Sequence, residues 1–146
     1  MDLARRAVEG GMLVATTLWL QCAGMAILIY LARSYISRSA QGLTAWRAAV
    51  LIVRFTALTI VLHLLQTLLW AAFYRWHGLP SWEPAFYFSV SSYSTVGSDV
   101  SLPKVWRSLG ALESIVGVLM CGMSVSALVV IATKIVAAEE RGAEPD

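Results

Sequence analysis

Ser81-Trp82-Glu83-Pro84-Ala85-Phe86-Tyr87-Phe88-Ser89-Val90-Ser91-Ser92-Tyr93, followed by Ser94-Thr95-Val96-Gly97-Ser98-Asp99, is the stretch on which the fold turns. A serine cap, an acid in the first turn and Pro84 near the N-terminus predict a helix over 82–93. That is about three turns, whereas a bilayer core about 30 Å thick takes roughly 20 helical residues. Residues 94–99 carry no helical pattern, and Pro103 closes the polar stretch.

The flanking runs are long enough to span. Gly10 to Ala32 holds 23 residues without a charge, well beyond the roughly 7–15 residues of a signal-peptide core, so it reads as a retained membrane helix. Ala48 to Tyr74 contains Arg54 near its start, His63 near its middle and Trp70, Tyr74 and Trp76 at its far end. Aromatic residues at a helix end suit the headgroup region. Ser108 to Thr133 carries only Glu113. A short helix and an irregular strand between two spanning helices describe a re-entrant loop. Irregular backbone at membrane depth is tolerated only beside protein or a water-filled path, which implies a pore or cavity. The expected fold is an all-α membrane protein with three transmembrane helices and a re-entrant pore helix and filter loop between helices two and three.

Composition agrees. Of 146 residues, 58% are hydrophobic and 14% charged, with a mean hydropathy of +0.69; soluble domains have about 45–50% and about 25%. A net charge of +2 gives no case for nucleic acid. Cys22 and Cys121, both in apolar runs, imply neither a disulfide framework nor a metal site. The sequence has no nucleophile–base pair, phosphate loop or cysteine–histidine cluster. Neither enzymatic substrate nor cofactor is expected. The linker around Arg33, Arg38, Arg47 and Arg54 contains no acid, which places it and the C-terminus in the cytoplasm of a bacterial inner membrane. The tally of six basic residues inside against five outside adds little. The 13 residues after Thr133 are too few for a ligand-binding domain, so gating is expected from the membrane part, lipid, a partner or the filter itself.

The resulting expected organisation is an N-terminal segment 1–9, a first helix 10–32, a linker 33–47, a pore domain 48–136 and a tail 137–146. Within the pore domain fall an outer helix 48–74, a pore helix 82–93, a filter 94–99 and an inner helix 106–136.

Helix, short helix, Thr95-Val96-Gly97, then helix resembles the pore domain of the potassium channel superfamily, whose filter reads T-V-G-Y-G. The likeness continues through Asp99-Val100-Ser101-Leu102-Pro103, Trp106-Arg107, Leu109-Gly110, Leu112-Glu113 and Gly117, as in small bacterial ion channels. It implies a homotetramer in lipid that passes monovalent cations, potassium or sodium, with Thr95, Val96 and Gly97 offering carbonyls that replace the hydration shell. Ser98 and Asp99 shape the mouth, and Ser91 and Glu113 support the filter. The Y-G pair is missing. An ungapped alignment puts Ser98 and Asp99 in its place; a deletion of the tyrosine keeps Asp99-Val100, Leu102-Pro103 and Trp106-Arg107 in step, and is preferred. Either way selectivity is expected to weaken. A non-conducting channel-like structural or regulatory subunit is the alternative.

Other residues carry two readings each. Four Asp99 carboxylates would ring the mouth and attract cations, or Asp99 caps the loop. Gly117 and Gly122 are a gating hinge or points of close packing. Glu113 bonds the pore helix or Arg107, or is solvated at the outer interface. His63 senses pH, or is a neutral hydrogen-bond partner in the strip Thr56, Thr59, His63, Gln66, Thr67 and Trp70. Thr17, Gln21 and Gly24 on the first helix form a similar strip, expected to pack against the second.

Overall fold

The computed structural model describes residues 3–38 and 44–143. Four helices follow in order: α1 Leu3–Arg38, α2 Ala45–His77, α3 Trp82–Tyr93 and α4 Arg107–Ala143. Three are long and apolar enough to cross a membrane, and no strand occurs among the described residues. The protein is an all-α integral membrane protein. Each long helix continues past its apolar run, because charged flanks such as Arg5 and Arg38 end lipid exposure without ending the hydrogen-bond ladder. Residues 39–43 of the expected linker, 144–146 of the tail and 1–2 lie outside the described residues.

Two compact units form, one from Met1–Gln21 with His63–Cys121 and one from Cys22–Leu62 with Gly122–Asp146. In the second, Met25, Leu28, Ala48, Leu51, Phe55, Ile131 and Ile135 are buried. Gly24 gives α1 its close approach to α2 there: a Cβ at Gly24 would meet Leu62 Cδ2 at 2.6 Å.

In the first unit, the start of α1, the end of α2 and the start of α4 meet. Glu9 lies 3.9 Å from His77, a Cβ at Gly10 would touch Leu109 at 3.0 Å, and one at Gly78 would reach Pro103 at 2.5 Å. The segment from 79 to 102 therefore leaves and returns at one place, and between its ends α3 runs back alongside the long helices, with Ser89 against Thr67 and Glu113, which makes it re-entrant. Leu13, Trp70, Tyr74, Leu79, Ala85, Phe88, Leu102, Trp106 and Leu109 form the core beneath it. Aromatic edges meet faces within that core, as in Tyr74–Phe88 with centroids 5.0 Å apart and Phe73–Trp106 at 5.2 Å.

Two expectations change. Trp70 and Tyr74 do not sit in a headgroup belt: both are buried, since the Trp70 indole donates to Thr17 Oγ1 at 3.0 Å and the Tyr74 hydroxyl to Glu113 Oε2 at 2.7 Å. Of the three aromatics only Trp76 is exposed. Ser81 occupies the N-cap position of α3 with extended backbone, but its side chain makes no capping hydrogen bond; backbone conformation and Pro84 open the helix without it.

Candidate functional site: the re-entrant loop

The first turn after α3 is built from main-chain bonds. Ser94 N–H donates to Val90 O at 3.0 Å, Thr95 N–H to Ser92 O at 3.0 Å and Gly97 N–H to Ser91 O at 3.1 Å. Ser91, itself buried, thus touches the loop through its carbonyl. Thr95 has φ +63° and Gly97 φ +83°, while Ser94 is right-handed at φ −83°. Gly97 adopts a positive φ freely. For the β-branched Thr95 the same region is an outlier, and such backbone strain collects at functional sites, where surrounding bonds hold it. Left-handed residues at alternate positions let successive carbonyls turn to one side of the chain.

Residues 94–97 are exposed on the single chain, Val96 to 82%. The opposite face of the same element is buried: Ala85, Phe88, Ser89, Ser91, Ser92 and Tyr93. Ser98 Oγ accepts from Val100 N–H at 3.0 Å, closing the turn toward Leu102. Asp99 is exposed, and no capping bond from its side chain is seen among the described contacts.

Behind the loop sits Glu113, wholly buried on α4. Its partners are Tyr74 of α2 and Ser89 of α3, not Arg107, which is exposed. Ser89 Oγ also lies 2.8 Å from Thr67 O, so one hydroxyl ties α3, α2 and α4 together. Ser114 Oγ donates to Ser92 O at 2.7 Å, a second tie from α4 to the end of α3. Gly117 is buried, and a methyl there would run into the Tyr93 carbonyl, so this glycine serves close packing against α3. Gly122 has nothing within 4 Å of a notional Cβ.

A family model described as Ion channel matches residues 58–134, from the middle of α2 through α3 and the loop to most of α4. The chain belongs to this ion channel family. Searches of curated proteins and of solved structures returned no match. The matched stretch holds much of the two spanning helices and the whole re-entrant segment of a potassium channel-type pore domain, which makes the chain a pore-forming ion channel of integral membrane type. Helix α1 precedes the region matched to the ion channel family.

The polar strips of α1 and α2 face each other. Trp70 bonds Thr17, and Gln66 Nε2 donates to Gln21 Oε1 at 2.7 Å. His63 Nδ1 lies 2.8 Å from the Tyr93 hydroxyl. Nothing in the residue pattern marks Tyr93 as a hub; its place one residue before the loop is the one available hint.

Proposed function

We propose that the protein is a homotetrameric channel passing monovalent cations, potassium and sodium, with weak discrimination between them. The observation that carries this reading is the exposed Ser94–Gly97 stretch, held at alternating handedness on the end of a short helix buried on one face. One such loop cannot surround an ion; four copies around an axis can, with Thr95, Val96 and Gly97 carbonyls replacing water. Loss of the Tyr-Gly pair shortens that stack, and the Ser98 hydroxyl closes the turn by accepting from Val100 N–H. The acid-free arginine linker supports a cytoplasmic C-terminus in a bacterial inner membrane.

Planar bilayers holding the purified protein, with potassium chloride on one side and sodium chloride on the other, test it. The expected reversal potential is close to zero. A reversal potential far from zero, with the sodium side positive, overturns weak selectivity, and silent bilayers overturn conduction in favour of a non-conducting subunit.

A ring of Asp99 carboxylates at the mouth concentrates cations. Asp99→Asn is expected to lower single-channel conductance about twofold at low ionic strength. The difference should vanish near 1 M salt, where the screening length falls to about 3 Å. Equal conductance at low salt removes Asp99 from the ion path.

A further inference from the structure

A buried hydrogen-bond chain runs through all four helices within the first unit. Gln21 Nε2 (α1) donates to the Met120 carbonyl (α4) at 3.1 Å. Gln66 Nε2 (α2) donates to Gln21 Oε1 at 2.7 Å, and the Tyr93 hydroxyl (α3) donates to Gln66 Oε1. His63 Nδ1 approaches the same hydroxyl at 2.8 Å. Gln21, Gln66 and Met120 are wholly buried and Tyr93 nearly so.

The chain has a direction, and one main-chain group sets it. A carbonyl only accepts, so Gln21 must turn its amide nitrogen to Met120 and its oxygen to Gln66. Gln66 must then give its nitrogen to Gln21 and its oxygen to Tyr93. The single Tyr93 proton is committed to Gln66. The Tyr93 oxygen is left to accept, and His63 Nδ1 must carry a proton.

We propose that Gln21, on the helix that precedes the family-matched region, is a positioning residue for the filter. By fixing the polarity of this chain it locks the Tyr93 hydroxyl in one orientation, and with it the last turn of α3. Ser94 and Gly97 hang from that turn through Val90 O and Ser91 O. Gly117 packs on the Tyr93 backbone, so α4 closes one side and the hydroxyl anchors the far end of the same residue. The role in the filter rests on the pore reading of residues 95–97; the hydrogen-bond polarity does not.

The test uses full-length protein in lipid nanodiscs with nitrogen-15 histidine and glycine, a His77→Asn variant serving to assign the two histidines. Wild-type His63 is expected to show a protonated Nδ1, a measurement that needs no substitution at the chain. Gln21→Met with Gln66→Met removes two partners at similar volume, a change that leaves stability nearly intact. In this double variant Tyr93 is free to donate to His63, and the ratio of Nδ1–H to Nε2–H forms should fall about fivefold, the equivalent of one net hydrogen bond. The Gly97 amide signal should move with it, and the potassium-to-sodium permeability ratio should shift. An unprotonated Nδ1 in the wild type overturns the proposal, as does a double variant whose His63 and Gly97 signals stay in place. Silent wild-type bilayers count against conduction alone, since both spectral signals are read without current.

Discussion

Gly117→Ala is expected to unfold or grossly loosen the pore domain, lowering stability by about 3 kcal/mol or more. Overpacking a core normally costs about 1–3 kcal/mol because side chains can rotate away. Here the added methyl meets main chain: the Tyr93 carbonyl oxygen lies in its way, with the carbonyl carbon at 3.0 Å. Relief requires moving the end of α3, and the loop that hangs from it moves too. Gly122→Ala is the matched control on the same helix, where nothing lies within 4 Å. It should leave the fold intact and add up to about 1 kcal/mol through helix propensity. Thermal unfolding in detergent, followed by tryptophan fluorescence, separates the two. Equal melting temperatures for both variants would refute close packing at Gly117.

Glu113→Ala should cost about 3–5 kcal/mol, while Glu113→Gln should stay within about 1 kcal/mol of the native protein. Removing the carboxyl strands the Tyr74 hydroxyl, buried at 1% exposure, and opens a void beside Ser89. Each unsatisfied buried polar group costs about 1–3 kcal/mol, and the cavity adds to that. Glutamine can keep every bond. Its oxygen accepts from Tyr74, its NH2 donates to Ser89 Oγ, and the Ser89 proton goes to Thr67 O, 2.8 Å away. The comparison asks whether position 113 needs a charge or only a shape with two polar ends. Chemical denaturation of both variants answers it; a glutamine variant as unstable as the alanine one would show that the charge itself is required.

How far the chain could be read in advance differs from element to element. The spanning helices and the re-entrant segment were legible because lipid imposes length and apolarity on residue choice, and because Pro84 and Pro103 punctuate the loop. Facing polar strips were legible on α1 and α2 for a related reason: Thr17, Gln21, Gln66 and Trp70 would be expensive against hydrocarbon and must find each other. Helix ends were not, since α1 and α4 run on through charged residues that say nothing about the backbone. Tyr74 reads as interfacial, and Trp70 reads both as interfacial and as part of the strip, because an interfacial aromatic and a buried, hydrogen-bonded one look alike in a sequence. Gln21 bonding Met120 O had no signal at all: the acceptor is main chain, and any residue at 120 would present it. The positive φ of Thr95 was equally hidden, because threonine is a poor candidate for that conformation and only the surrounding amide bonds hold it there.

The Gln21, Thr17 and Gly10 contacts bear on how small a pore of this type can be made. The family-matched stretch starts at residue 58, which invites trimming the leading helix to leave a two-span core. Such a trimmed pore would turn the Gln66 amide, the Trp70 indole N–H and the Met120 carbonyl's second lone pair toward acyl chains, each of the side-chain groups forfeiting about 1–2 kcal/mol. Recasting Gln66 and Trp70 as aliphatic residues would have to accompany the excision. The leading helix is thus a built-in solvent for its neighbours, and the sequence of the core already assumes its presence.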